Sequence, residues 1–310
     1  MRCVPELPPG IYESVLTERI LRGLPGDSSR AVLGKLDPAE GPDVLADHLA
    51  AVITAALRSP GHQHDLEAQV QFCNWLIESI ATRGGQFAEF SEELVDNLAR
   101  QLLEIKRAPN GALAPSATTK RPTTPLSQDA LLVAAKHEPR LAAELFNELL
   151  SADGVDLLCA FVRWSGIRVL MDPLRKLRER GVRIRVITTT YTGSTELRAL
   201  QELAAIGAEI KVSYEIGSTR LHAKAWLFER ETGYSTAYIG SSNLSHTALH
   251  DGLEWNVRLS QAASPALLQR FRATFETYWA DLSKPHSTAD KSKPRCCHGC
   301  CQNEATFSSL

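Results

Sequence analysis

Residues 140–213 alternate between helix-like and strand-like stretches, and this succession constrains the fold more than any other feature. The stretch "VDLLCAFV" (155–162) is short and almost wholly apolar, which is typical of a strand buried on both faces. Helical periodicity follows in "SGIRVLMDPLRKLRERG", and then "VRIRVITTT", "STELRALQELAAIG" and "AEIKVSY" repeat the order strand, helix, strand. Gly181 and Gly207 are placed to end the two helices. The pattern predicts an α/β sandwich around a mixed sheet.

Different patterns flank this α/β segment. Residues 1–107 repeat apolar residues at three- and four-residue spacing in "DVLADHLAAVITAALRS", "EAQVQFCNWLIESIA" and "SEELVDNLARQLLEIKR", which predicts a helical N-terminal region. Residues 108–125 are rich in Pro and Thr and predict a linker. The α/β domain is therefore predicted over 126–281. A Cys-containing tail, 282–310, loses apolar periodicity and is predicted to be disordered.

Composition and charge limit the classes of partner and compartment. The net charge of −2 gives no global attraction to polyanions, so a nucleic-acid site must be a local patch. The chain has no apolar run long enough to span a membrane and no signal peptide pattern at its start, which predicts a cytoplasmic protein with no membrane partner. The run "CCHGCC" crowds its zinc-ligand types together instead of spacing them in two pairs, so no metal site is predicted.

After the α/β segment, "LHAKAWLFERETGYSTAYIGSSNLS" (221–245) predicts a β-hairpin that carries polar groups. Residues two apart on a strand share a face, so His222 and Lys224 are predicted to point the same way. Ser241 and Asn243 form a second such pair if the second strand extends that far. A basic and a hydrogen-bonding pair would then lie on neighbouring strands.

The stretch "LEWNV" adds a third pair, Glu254 and Asn256, on a following strand. If the three strands are neighbours, an imidazole, an ammonium, amides, a hydroxyl and a carboxylate converge on one patch. That set suits an oxyanion such as a phosphodiester, because Lys supplies charge and Asn and Ser supply neutral donors. The histidine can then act as nucleophile or proton carrier.

The order of these residues resembles the signature of the phospholipase D superfamily: His-x-Lys, an acid five residues later, then Gly-Ser-x-Asn. Here it reads His222-Ala-Lys224, then Glu229, then Gly240-Ser241-Ser242-Asn243. Within that superfamily, "GSSNLS", "GLEWNVRLS", "VDLLCAFVRWSG" and "RVITTTYTG" are similar to nuclease-type domains found upstream of bacterial superfamily II helicases. The resemblance covers roughly residues 126 to 281, and extends more loosely into the N-terminal region.

The resemblance implies a phospholipase D-like sandwich fold and phosphodiester cleavage without a metal or other cofactor. One histidine attacks phosphorus to form a phosphohistidine, and a second protonates the leaving oxygen. With one His-x-Lys in the chain, the second histidine would come from another subunit, which implies a two-fold homodimer with the active site at its interface. The residues implied are His222, Lys224, Asn243, Glu229 and Glu254 for catalysis, and Ser241, Ser242 and Asn256 for substrate binding.

Two further features bear on that site: the acid of the motif and a basic segment that precedes it. The superfamily usually has Asp where this chain has Glu229, and residue parity places Glu229 on the opposite strand face from Lys224, which predicts a supporting role. Between Arg163 and Arg185 basic residues outnumber acidic ones. This segment is either a phosphate-backbone track or a solvated helix face. Arg183 and Arg185 are its predicted substrate contacts.

The favoured function is a nuclease acting on nucleic acid, with DNA as the expected substrate. The chain has no phosphate-binding loop of the G-x-x-x-x-G-K-[ST] type, so a helicase would be a partner protein. Two alternatives stay open. One is a non-catalytic nucleic-acid-binding or dimerisation module. The other is a lipid phosphodiesterase or phosphatidyl transferase, which would need an apolar membrane-binding element near the site.

Overall fold

A computed structural model describes residues 7–26, 31–105, 119–133, 140–215, 220–250 and 253–282. The chain divides into two compact units, Met1–Arg107 and Ala108–Leu310. Within the described ranges, no helix has the length and apolar character needed to cross a membrane. The predicted tail from residue 283 onward lies outside the described residues.

The first unit is helical, as predicted, over α1 (Glu18–Gly23), α2 (Gly41–Leu57) and α3 (Leu66–Ala81), with a 3₁₀ helix at Gly85–Glu93. Asp65 caps α3, because its carboxylate accepts a hydrogen bond from the amide of Ala68 at 2.9 Å.

The helix predicted from residue 91 is wrong: residues 94–105 contain no helix. The side chain of Asn74 donates to the carbonyl of Val95 at 3.0 Å and accepts from its amide at 2.8 Å. These two bonds satisfy the backbone outside a helix and hold the segment against α3. Ala99 has a φ of 51°, which interrupts helical continuation further along.

The second unit is built on one seven-stranded mixed sheet, in the order β1-β7-β6-β5-β2-β3-β4. Strands β2, β3 and β4 are parallel, and the other neighbours are antiparallel. The α/β prediction is confirmed, although β1 was not predicted because its four residues are too few to show a period. The elements are β1 (Ala130–Val133), α4 (Leu141–Ser151), β2 (Gly154–Cys159), α5 (Trp164–Glu179), β3 (Arg183–Thr189), α6 (Leu197–Ala205), β4 (Glu209–Ser213), β5 (Lys224–Glu229), β6 (Thr236–Gly240), α7 (His246–His250), β7 (Trp255–Ser260) and α8 (Pro265–Asp281).

Helices cover both faces of this sheet. On one face, Leu157, Val186 and Phe228 pack into the main core with residues of α4, α5, α6 and α7. On the other face, Leu158 and Ala225 pack against α8. Alternate residues of each strand therefore belong to different layers, which decides where each polar side chain points.

One edge of the sheet collects the ends that matter for the site. Because β2 and β3 are parallel, their carboxyl ends lie at the same edge. Strand β5 is antiparallel to β2 and starts there, since Lys224 is the Cα partner of Cys159. Strand β6 ends there too, with Gly240 paired to Asn256 of β7. The predicted hairpin of β5 and β6 is thus present, and its open end lies at this edge.

Candidate active site

His222 and Lys224 meet at this edge. The Lys224 ammonium lies 3.0 Å from Nδ1 and 3.2 Å from Nε2 of the His222 ring, and it donates to the His222 carbonyl at 2.7 Å. Lys224 is the buried first residue of β5, whereas His222 lies before the strand and is exposed. Sequence reasoning placed both on the strand. The histidine is instead in the loop leading to it, where a substrate can reach the imidazole.

Burial and neighbouring groups shift the pKa of the Lys224 ammonium. Burial lowers the pKa of the Lys224 ammonium, and the neighbouring Cys159 and Glu254 act in the opposite direction. Burial also raises the pKa of the Cys159 thiol to about 11, so this thiol is neutral near pH 7. The Lys224 ammonium therefore has no buried thiolate beside it.

The phenyl ring of Phe161 forms one wall of the site. It meets the His222 ring edge-on, with the ring centroids 6.1 Å apart. The amide of Ala160 donates to the carbonyl of Ala223 at 3.0 Å, which fixes this neighbourhood. Sequence reasoning did not single out Phe161. The available signal was its position near the end of the predicted strand 155–162, because the carboxyl ends of parallel strands lie at the same edge of a sheet.

The Gly-Ser-Ser-Asn segment is held by close backbone packing. A methyl group on Gly240 would overlap the carbonyl oxygen of Trp255, so only glycine lets the end of β6 approach β7 this closely. A methyl group on Gly166 would overlap the backbone of Leu244, so the start of α5 packs directly on the same loop. Both glycines therefore allow the Gly-Ser-Ser-Asn loop to pack closely against β7 and α5.

The loop is also tied to the strand end that carries Phe161. The amide of Leu244 donates to the carbonyl of Phe161 at 3.1 Å, and the amide of Arg163 donates to the carbonyl of Leu244 at 2.9 Å. These bonds place Asn243 beside the Phe161 and His222 neighbourhood. The Asn243 Oδ1 atom is buried and has no hydrogen-bond donor in the described part of the chain.

Ser241 and Glu254 form the exposed side of the site. The Ser241 hydroxyl donates to the Glu254 carboxylate and accepts from the amide of Trp255 at 3.2 Å. The resemblance implied a catalytic role for Glu254, in which its carboxylate would orient the His222 imidazole. The described hydrogen bonds give Glu254 a different partner, Ser241.

Ser242 and Asn256 are buried and bond to each other: Asn256 Nδ2 donates to the Ser242 hydroxyl at 2.8 Å. They were predicted as substrate contacts. Their burial and mutual bond instead make them supports that join the loop to β7.

The structure does not bring Arg183 and Arg185 to this site. Both lie on β3, and the Arg185 side chain is in the α8 layer, where it donates to both carboxylate oxygens of Asp156 at 2.7 Å and contacts Glu276 of α8. Arg183 begins β3 beside Gly154, at the opposite edge of the sheet from His222. Arg185 is thus paired with the buried Asp156 and the exposed Glu276, and neither arginine is included in the candidate site.

Glu229 is also remote from His222. It is five residues along β5 from Lys224, roughly 17 Å at the rise of a strand, and its side chain faces the α8 layer. Arg272 of α8 grips the carboxylate with two hydrogen bonds of 2.7 Å, and Ser235 donates to it at 3.1 Å. This fork raises the pKa of the Arg272 guanidinium. The motif's acid therefore joins β5 to α8.

We expect Glu229→Asp to change kcat/KM for a small phosphodiester less than about twofold, because the carboxylate does not touch the site. Glu229→Gln should lower the free energy of unfolding by about 1 kcal/mol, since the pair with Arg272 is only partly buried. Steady-state kinetics and urea unfolding measure the two effects. A tenfold loss of turnover with unchanged stability would place Glu229 in the reaction itself.

A comparison with models of known protein families gives a match over this part of the chain. Residues 150–279 match a family model described as "Cardiolipin synthase, PLD-like domain". The matched residues contain the His-x-Lys of the site and all of the sheet except β1. Residues 150–279 form a phospholipase D-like domain. A comparison with curated proteins found no match.

Several solved structures resemble the phospholipase D-like domain at low identity. NucT from Helicobacter pylori is 12% identical over 49% of this chain and 96% of that one, with a TM-score of 0.39. Nuc from Salmonella typhimurium, a phospholipase D family member, is 17% identical over 49% of this chain and 94% of that one, with a TM-score of 0.38. Yeast tyrosyl-DNA phosphodiesterase is 13% identical over 42% of this chain and 31% of that one, with a TM-score of 0.32. At these values the likenesses carry no functional weight.

Proposed function

We propose that the chain is a metal-independent phosphodiesterase that cleaves nucleic acid, with DNA as the expected substrate. The observation that carries the proposal is the exposed His222 imidazole in contact with the Lys224 ammonium, at the edge of a phospholipase D-like domain. An accessible nitrogen nucleophile beside a fixed positive charge suits attack on a phosphodiester.

In the proposed first step, a ring nitrogen of neutral His222 attacks phosphorus. The P–N bond forms as the bond to the leaving oxygen breaks, and a second imidazole donates its proton to that oxygen. Water then attacks phosphorus as the second imidazole, now neutral, takes its proton; the P–N bond breaks, and both imidazoles return to their starting states. In this proposal the Lys224 ammonium stabilises the charge that develops on the phosphoryl oxygens. The Ser241 hydroxyl would contribute only after leaving the Glu254 carboxylate, to which it now donates.

The second imidazole is proposed to be His222 of a partner subunit. Each chain carries one His-x-Lys, so a two-fold dimer would supply both histidines to one site. A helicase partner is proposed only from the sequence resemblance.

The proposal is tested by incubating the protein with supercoiled plasmid and with single-stranded DNA in excess EDTA. We expect cleavage to persist, because Lys224 supplies the positive charge that a metal ion provides in other nucleases. Activity lost in EDTA and restored by Mg²⁺ would contradict this mechanism. DNA binding without cleavage under any condition would favour a binding module, and cleavage of phosphatidyl lipids alone would favour a lipid enzyme.

A further inference from the structure

Two arginine–aromatic pairs border the candidate site on its β3 side. The guanidinium of Arg220 lies over the Tyr191 ring, 4.9 Å from its centroid, and that of Arg198 lies over Trp164 at 4.6 Å. Arg220 and Arg198 are exposed, and the two rings are half-buried. Cations interleaved with aromatic rings are the residue types that hold single nucleic-acid strands, through base stacking and phosphate contacts.

The fold fixes where the Tyr191 and Arg220 pair lies relative to His222. Tyr191 lies two residues after the end of β3, just as Phe161 lies two residues after the end of β2, and these parallel strands end at the same edge. Strand β2 lies between β3 and β5, so Tyr191 is two strand spacings from the start of β5, roughly 10 Å. Arg220 lies two residues before His222 in the chain, and its guanidinium contacts the Tyr191 ring.

The loop that carries Tyr191 is anchored. The Tyr191 amide donates to the Thr189 hydroxyl at 3.1 Å, and that hydroxyl donates to the carbonyl of Ser213 at 2.9 Å. Thr190 also donates its amide to Ser213 at 3.2 Å. The backbone that carries the ring is thus positioned before any ligand arrives, which lowers the ordering cost of binding.

We infer that Tyr191 and Arg220 form a nucleotide subsite next to the scissile phosphate, with the Tyr191 ring stacking on a base and Arg220 contacting the adjoining phosphate. This inference rests on the proposed function and deepens it: the substrate is then a nucleic acid with an unpaired base beside the cleaved bond. A base inside a duplex is already stacked on its neighbours and cannot offer a face to Tyr191.

The test compares two oligonucleotides that differ only in bases flanking the cleaved bond, one normal and one abasic, together with methyl 4-nitrophenyl phosphate. Tyr191→Leu should lower kcat/KM on the normal oligonucleotide roughly 5- to 100-fold, the range expected for one stacked base. The abasic oligonucleotide and the small diester should be cleaved as by wild type. Tyr191→Phe should retain the wild-type preference, because it keeps the ring.

Arg220→Gln is read by salt dependence, which a purely structural role does not change. Its slope of log affinity against log salt should be smaller in magnitude by about 0.7, the value for one phosphate contact on a single strand. Binding is measured in a His222→Ala background so that the oligonucleotide stays intact. Tyr234→Leu is the matched control for Tyr191→Leu, since this exposed tyrosine lies in the turn between β5 and β6, at the other sheet edge.

An equal loss on all three substrates would overturn the subsite, because it would mean that Tyr191 only positions His222. No loss on any substrate would also overturn it. The proposed function fails separately: wild-type protein would then cleave nothing, and Tyr191-dependent binding of the normal oligonucleotide over the abasic one would still support the subsite.

Discussion

His222→Ala is expected to lower turnover of a phosphodiester by at least the roughly 10²–10⁴-fold that a positioned proton-transfer group contributes. In the proposed reaction this histidine is the nucleophile in one subunit and the proton donor in the other, so each site loses both groups. The urea midpoint should not change, because His222 is exposed and lies outside β5. Affinity for nucleic acid should largely persist, since Lys224 remains.

His64→Ala is the matched control, because it removes an exposed histidine from the other unit. Turnover by His222→Ala at the wild-type rate would contradict the mechanism.

Mixing wild-type and His222→Ala chains gives a second test. Refolding wild-type chain with excess His222→Ala chain places most wild-type subunits in mixed dimers, and activity per wild-type chain should fall steeply. Constant activity in proven mixed dimers would mean that each chain holds a complete site.

Glu148→Gln is expected to lower the free energy of unfolding by about 3–5 kcal/mol, the range for breaking a buried ion pair. Glu148 is fully buried on α4 and accepts from the Arg230 guanidinium, from Arg258 at 3.2 Å and from the Tyr238 hydroxyl at 2.9 Å. The amide would keep the shape but leave two buried guanidinium groups without their counter-charge.

The same network also bonds to residues that precede β1. Arg258 donates to the carbonyls of Pro125 and Gln128 at 2.9 and 2.7 Å. Urea unfolding followed by circular dichroism measures the loss. Glu276→Gln is the comparison, because Glu276 is 58% exposed, and its removal should cost no more than about 1 kcal/mol. Equal losses for the two variants would show that burial does not govern the contribution of Glu148.

Much of the second unit was predictable because its signals are local. Periods of two and of 3.6 residues marked the strands and helices from residue 141 to 281. Strand parity placed Glu229 on the face opposite Lys224, where Arg272 now meets it. The hairpin of β5 and β6 and its His-x-Lys motif were also predictable. The turn of a hairpin and the spacing of two nearby side chains depend only on residues close in sequence.

The errors arose where distant residues decide the outcome. Arg185 was predicted to bind substrate, but Glu276, 91 residues away, faces it from α8. Asn256 pairs with Ser242 only because β6 and β7 are neighbours with a particular register. The subsite of Tyr191 and Arg220 likewise needs the strand order, which no local pattern contains.

The stereochemistry of cleavage tests the covalent phosphohistidine most directly. A phosphorothioate diester of one configuration is cleaved in ¹⁸O-labelled water, and the configuration at phosphorus in the product is determined. Attack by His222 followed by attack of water gives two inversions, so we predict overall retention. Inversion would mean that water attacks the diester in one step, and it would contradict the role assigned to His222.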